Sequence, residues 1–91
     1  MGTVQSRQTL ALTDTESGWV FRLHKDNRRV WVDSLSFDVP VPVSFLAGDR
    51  AGEFEAAIGN SRTFSEMQDE ARRMLPARIL VSPLSEARFD C

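Results

Sequence analysis

Very few side chains in this sequence could carry out covalent or acid–base chemistry. The 91 residues include a single histidine, His24, and a single cysteine, Cys91. A nucleophile needs a base within hydrogen-bonding reach, and no glycine-flanked serine elbow accompanies the histidine. A histidine beside a hairpin turn is usually a solvated polar residue. We therefore predict that the protein is not an enzyme.

Motifs that bind metals or cofactors are missing from the sequence as well. One cysteine and one histidine cannot supply the four ligands of a classical zinc site within one chain. One cysteine also cannot form an internal disulfide. The sequence contains no phosphate-binding loop, dinucleotide fingerprint or calcium loop. We expect no cofactor and no bound metal.

Clusters of acidic residues leave a remote alternative, which is a small hydrolase. Such an enzyme could use two carboxylates about 5 to 9 Å apart. These acids have a simpler explanation. Those in the helix interact with the helix dipole and form salt bridges, and those in the predicted strand lie on its solvated face. The two clusters are Glu53 with Glu55, and Glu66 with Asp69 and Glu70.

A basic hairpin is the most suggestive feature of the sequence. Its arginines, interleaved with an aromatic side chain, could contact phosphates and stack a base, or bind an acidic protein surface. Alternatively, the charges keep the hairpin tip soluble, and Arg22 over Trp31 forms an intramolecular cation–π pair. The pattern favours this structural role and leaves the binding role open. The candidate binding residues are Arg22, His24, Lys25, Arg28, Arg29 and Trp31.

The composition indicates one ordinary globular domain. The chain is 42% hydrophobic and 26% charged, and its length leaves no room for a second core. Its net charge of -2 provides no global positive field for nucleic acid or an anionic membrane. No apolar run approaches the ~18 residues of a transmembrane helix, so we expect a cytoplasmic protein without membrane contact. Homodimer formation would add to the thin stability margin of so small a domain.

The hydrophobic pattern predicts where the folded domain begins and ends. We expect a flexible N-terminus over 1–7, one α+β domain over 8–83, and a C-terminal tail over 84–91. Residues 9–13 form a first strand, and the turn formers at 14–18 follow it as a loop.

A β-hairpin is predicted over residues 19–33 because two β-rich runs flank a polar turn. A two-residue loop at Asp26 and Asn27 sets Leu23 opposite Val30 and gathers the apolar side chains on one face. The remaining expected pairs are Phe21 with Val32, Trp19 with Ser34, His24 with Arg29, and Arg22 with Trp31.

Residues 35–45 alternate between apolar and polar side chains, which predicts a half-buried strand. Pro40 and Pro42 lack backbone N–H groups, so this strand should lie at an edge of the sheet. We expect it to pair through its odd residues only, with the prolines protecting the free edge.

The remaining elements complete an α+β fold. Residues 53–58 alternate and predict another strand, with a short helix capped by Asp49 as the competing interpretation. Thr63 and Glu66 form a capping box that starts the main helix, over 64–75, and residues 77–81 form a last strand. The expected architecture is a small antiparallel sheet of four to six strands with one main helix on one face and a final C-terminal strand.

A predicted strand, a polar turn and a capped helix follow one another over Phe54 to Ile58, Gly59-Asn60-Ser61, Thr63-Phe64-Ser65-Glu66 and Ala71. This segment resembles the strand-turn-helix unit of HicB-type antitoxins, in which a polar turn precedes a capped helix. The resemblance covers barely a quarter of the chain and implies a small regulatory binder.

Together these features predict a small non-enzymatic interaction module that binds another protein and regulates or inhibits it. Accessory proteins of phages and mobile elements provide the analogy. The alternative is a nucleic-acid-binding or HicB-like regulator that uses the basic hairpin. Salt dependence distinguishes the two, because phosphate contacts weaken steeply with ionic strength.

Overall fold

A computed structural model describes residues 8–27, 29–37 and 39–84 of the chain. Within these ranges the chain forms a five-stranded antiparallel sheet with its helices on one face, which confirms the predicted α+β fold class. The predicted flexible segment 1–7 and the tail beyond Leu84 lie outside the described residues. The strands are β1 (Gln8–Asp14), β2 (Val20–Asp26), β3 (Arg29–Ser34), β4 (Val39–Val41) and β5 (Ile79–Pro83), and the helices are α1 (Ser44–Ala47), α2 (Ala51–Asn60) and α3 (Phe64–Met74).

The strands are arranged in the order β4-β3-β2-β1-β5, and every neighbouring pair is antiparallel. The helices follow β4 in the chain and cross one face of the sheet, so that β5 returns beside β1 at the opposite edge. No helix in the described part of the chain is both long enough and apolar enough to cross a membrane.

The β2–β3 hairpin has the predicted two-residue loop, but the loop falls one residue later than expected. Asp26 pairs with Arg29, so Leu23 lies opposite Val32 rather than Val30. Asn27 has a φ of 58°, the left-handed conformation that such tight turns require. A two-residue change of partner leaves every side chain on its predicted face, because the side-chain period of a strand is two. The other predicted cross-strand pairs are wrong for the same reason.

The edge position of the proline-containing strand is confirmed, whereas its predicted length is wrong. Leu35 N donates to Val20 O, and hydrogen-bonded pairs alternate along an antiparallel ladder. Pro40 lies opposite Asp33 and therefore turns its nitrogen toward the free edge, as expected. Beyond Val41 the chain leaves the sheet, because Pro42 O accepts from Phe45 N as helix α1 begins.

Residues 53–58 lie in helix α2, so the predicted strand is wrong and the competing helix is right. Phe54 and Ile58 are four residues apart, stack on one face of a helix and are fully buried. Asp49 does not cap this helix, since it lies in a short 3₁₀ turn and Arg50 is the N-cap residue. The residues that were expected to form a strand-turn-helix unit therefore form two helices, α2 and α3, joined by a short turn.

Helix α3 begins at Phe64 as the sequence predicts and ends at Met74, one residue earlier than expected. The N-cap side chain of Thr63 accepts from Glu66 N at 3.0 Å. The Glu66 carboxylate accepts from Arg62 N at 2.6 Å rather than from the N-cap residue itself. Leu75 ends the helix in an extended conformation just before Pro76.

Helices α2 and α3 bury the apolar face of the sheet. Helix α2 contacts β3 and helix α3 contacts β5, so each helix covers a different part of the sheet. The core consists of Leu10, Leu12, Phe21, Leu23, Val32, Val43, Leu46, Phe54, Ile58, Met67, Ala71, Met74, Leu75 and Ile79.

The second edge of the sheet is also poor in free backbone donors. Thr15 N donates to Arg78 O, and the alternation of the ladder then directs the backbone groups of Ile79, Val81 and Pro83 outward. Ile79 N already donates to Pro76 O, and proline has no N–H. Val81 N–H is thus the one outward donor left among residues 79–83.

The helical assignment of residues 51–60 can be tested by placing a charge at two adjacent alanines. Ala57 packs against the core in the helix, whereas Ala56 is exposed. We expect Ala57→Glu to lower the free energy of unfolding by about 1 to 3 kcal/mol and Ala56→Glu to change it by less than ~0.5 kcal/mol. Urea denaturation measures both values. A strand would reverse the order, because Ala56 would then share the buried face of Phe54.

Candidate functional site

The hairpin residues singled out in the sequence divide between the two faces of the sheet. Arg22 and His24 of β2, with Arg29 and Trp31 of β3, lie on the face that carries no helix, which we call the open face. Lys25 lies on the helix-facing side instead. Arg28 is outside the described residues.

Asp33 holds two of these side chains together. It lies directly opposite Arg22 in the ladder, and its Oδ1 accepts from Arg22 Nε at 2.7 Å. Its Oδ2 lies 3.2 Å from His24 Nε2. Sequence reasoning missed this carboxylate because the expected register set Trp31 opposite Arg22. A requirement that opposite charges face each other across the hairpin would have found it.

Trp31 forms an aromatic stack with its cross-strand neighbour. The rings of His24 and Trp31 are 5.0 Å apart between centroids and inclined by 12°. The Arg29 guanidinium carbon lies 4.8 Å from the centre of the Trp31 ring, within cation–π range. The open face therefore carries a connected network of ring stacking and ion pairing.

His24 lies between a hydroxyl and a carboxylate, an order also found in hydrolytic triads. Thr9 Oγ1 is 3.4 Å from His24 Nδ1, which is longer than the ~2.6 to 3.2 Å of a productive nucleophile–base contact. Thr9 and His24 are both buried, so the expectation of a solvated histidine is wrong. The backbone of β1 is paired with β2 over residues 8–13 and with β5 over residues 10–14. This geometry holds the imidazole ring in place between Thr9 and Asp33.

A second group of side chains forms an exposed aromatic surface at the opposite end of β2 from the hairpin tip. Trp19 is 39% exposed, Phe37 57% and Phe45 56%. The Trp19 ring lies 4.9 Å from that of Phe37, edge to face, and 6.4 Å from that of Phe45, stacked. We call these three residues the aromatic surface. Leu35 and Val39, in the neighbouring turn and strand, are also about half exposed.

The aromatic surface continues directly into the core. Phe21 is buried, and its ring lies 6.1 Å from Trp19 and 5.7 Å from Phe45. Helix α1, the segment before β2 and the turn between β3 and β4 bring these rings together. The sequence pattern predicts Phe37 and Phe45 on the buried face of a continuous strand. That expectation is wrong because β4 spans only Val39–Val41, so that Phe37 lies in the turn before it and Phe45 in helix α1 after it.

The loop before Trp19 is held by Asp14. Asp14 N donates to Trp19 O, and the Asp14 carboxylate accepts from Glu16 N at 2.9 Å. This backbone donor is the main reason that the pKa of Asp14 lies below its ordinary value, and Ser17 and the nearby Arg78 lower the pKa further.

The chain has no match among known protein families, curated proteins or solved structures. In the described part of the chain, no group of three or more histidine, cysteine, aspartate or glutamate side chains is placed to hold a metal ion.

The Asp33 network predicts a measurable coupling free energy. We expect Asp33→Ala to lower the free energy of unfolding by about 1 to 2 kcal/mol, because it removes the carboxylate partner of two side chains that are largely withdrawn from water. A double-mutant cycle with Arg22→Ala should give a coupling near 1 kcal/mol. The same cycle on the exposed pair of Arg50 and Glu53 provides the control, with a coupling below ~0.5 kcal/mol. Equal couplings in both cycles would contradict a structural role for Asp33.

Asp14 predicts a pH dependence of stability. Because the folded-state pKa is lowered, the carboxylate stabilises the fold above the unfolded pKa of about 4, and that stabilisation disappears as the pH falls through the lowered pKa. Asp14→Ala should therefore destabilise the protein at pH 7 and differ progressively less from the original chain below about pH 4. Urea denaturation from pH 7 to pH 2 measures the difference, with Asp49→Ala as an exposed control. A gap that is constant over this range would contradict the assignment.

Proposed function

We propose that this protein is a non-catalytic interaction module that binds another protein through the aromatic surface. The observation that supports this proposal is the exposure of three clustered aromatic rings, Trp19, Phe37 and Phe45, in direct contact with the core. By covering part of its partner's surface, the module would regulate or inhibit that partner.

The size of the aromatic surface supports a protein partner. Aromatic side chains have ~150 to 250 Å² each, so the exposed fractions of the three rings together amount to roughly 230 to 380 Å². Apolar patches of ~300 to 600 Å² are the largest that typical monomers expose, and they are often functional. Such a patch would form the apolar centre of a standard interface of roughly 800 Å² per partner.

The position of the rings also fits a binding role. Trp19 is held at its backbone by Asp14 and packed against two other rings, so little side-chain freedom remains to be lost on binding. Rigid aromatic side chains are typical of the residues that carry most of the binding free energy in protein interfaces.

Binding by strand addition is the less favourable mode for this sheet. Pro40 turns its nitrogen to one free edge, and the other edge presents Pro83 and an Ile79 N–H that is already bonded. A partner strand would find few backbone donors on either side. These features favour contact through the side chains of the aromatic surface.

The open face supports nucleic-acid binding less well. The carboxylate of Asp33 lies within the basic group and neutralises Arg22, and the Trp31 ring is stacked on His24. A phosphate-binding track needs unneutralised cations and a base needs a free ring face. The basic hairpin remains the alternative that the following experiment is designed to detect.

The proposal can be tested by affinity capture followed by binding measurements. Tagged protein is incubated with nuclease-treated lysate of the source organism, and the captured protein is purified and titrated by calorimetry. We expect Phe37→Glu and Phe45→Glu each to raise the Kd at least tenfold, because each places a charge in a desolvated apolar contact. We also expect little change in Kd between 50 and roughly 300 mM salt, since apolar contacts are weakly screened.

The matched control is Leu80→Glu, which changes an equally exposed apolar side chain on β5 that lies on the open face of the sheet, opposite Thr13. Its Kd should equal that of the original chain. Loss of binding only when Arg22 or Arg29 is replaced, with steep salt dependence, would instead support the basic hairpin.

A further inference from the structure

A polar groove lies between the tip of the β2–β3 hairpin and the turn that joins helices α2 and α3. Lys25 and Asn27 line it from the hairpin, and Asn60, Ser61 and Arg62 line it from the turn. This groove is at the opposite end of the sheet from Trp19, so it is separate from the aromatic surface.

The charge in this groove is one-sided. Among the described residues, Lys25 and Arg62 both line it and no carboxylate does. The neighbouring groove on the other side of Asn60 and Ser61 is lined by Glu66, Asp69 and Glu70, with no cation from the described ranges. The turn between α2 and α3 therefore separates a basic groove from an acidic one, in a chain whose net charge is only -2.

The two cations of the basic groove have no ion-pair partner in the described part of the chain. Lys25 Nζ donates to the backbone carbonyl of Asn27 at 2.6 Å. The Arg62 guanidinium makes no hydrogen bond or ion pair with the described residues, whereas Arg22, Arg50, Arg73 and Arg78 all face carboxylates. Two like charges on one groove repel each other, and an anion between them removes that repulsion.

The neutral groups of the groove suit an oxyanion as well. The side-chain amides of Asn27 and Asn60 can each donate two hydrogen bonds. Arginine and lysine beside such donors form charge-assisted hydrogen bonds to phosphate, which are roughly twice as strong as neutral ones.

We propose that this groove binds a divalent oxyanion of the kind carried by a phosphate monoester, with Lys25 and Arg62 as the cationic ligands. Two positive charges that line one groove attract a dianion more strongly than they attract a singly charged carboxylate or phosphodiester. The site adds a second ligand class to the protein and does not depend on the aromatic surface.

The experiment is an NMR titration of the isotopically labelled full chain with inorganic phosphate at pH 7.5, with sodium chloride adjusting every sample to one ionic strength. We expect saturable shifts of the Asn27, Asn60 and Ser61 amides, with a Kd on the order of 1 mM. Lys25→Gln and Arg62→Gln should each raise the Kd about tenfold, since each removes a charge-assisted hydrogen bond.

Arg50→Gln is the matched control, because it removes the same charge from an exposed arginine that already faces a carboxylate. Its Kd for phosphate should not change. Titrations with acetate and with a short phosphoserine peptide distinguish the possible sources of the oxyanion. Tighter binding of the peptide than of inorganic phosphate identifies a phosphorylated protein as the source, and equal binding identifies a free phosphate compound.

Three results would overturn the proposal. The first is phosphate shifts that remain linear and do not saturate. The second is an equal effect of Arg50→Gln, which indicates nonspecific attraction. The third is binding of a phosphodiester oligonucleotide in the absence of any response to phosphate or phosphoserine.

Discussion

The packing of helices α2 and α3 on one face of the sheet is the contact on which the other features of this protein depend. Phe54, Ile58 and Met67 are fully buried there, with helix α2 against β3 and helix α3 against β5. Because the helices cover only this face, the open face needs side chains that are satisfied without a second layer. The network around Asp33 meets that need, with one carboxylate serving both Arg22 and His24.

The same constraint explains the aromatic surface. The helix layer ends with the single turn of α1, and Phe21 lies buried beneath Trp19 and Phe45 where that layer stops. The aromatic rings thus complete the core on their inner side and remain exposed on their outer side. A feature needed for folding is in this way available for binding a partner.

The sequence predicts the fold class, the main helix and the edge strand because each rests on local chemistry. The capping box of Thr63 and the missing N–H of Pro40 act within a few residues, so no distant contact is needed to interpret them. The register of the hairpin is harder to predict, because periodicity determines only the face of the sheet on which each side chain lies. The choice between Val30 and Val32 as partner of Leu23 depends on which loop residue adopts positive φ.

The segment 53–58 shows a second limit of local reasoning. Its alternation fits a strand, whereas the four-residue spacing of Phe54 and Ile58 fits a helix, and packing against the sheet decides between them. The aromatic surface could not be predicted for a related reason. An apolar period of two after Leu35 predicts a long half-buried strand, whereas the strand that forms is limited to Val39–Val41 and leaves Phe37 and Phe45 outside the sheet and exposed.

The two tryptophans provide the most direct test of the central claim, because one lies on each candidate surface. Trp19 belongs to the aromatic surface and Trp31 to the open face. The indole N–H signals of both residues can be followed by NMR as the captured partner is added. Our account predicts that the Trp19 signal shifts or broadens while the Trp31 signal stays unchanged. A response at Trp31 with an unchanged Trp19 signal would contradict it and assign binding to the basic hairpin.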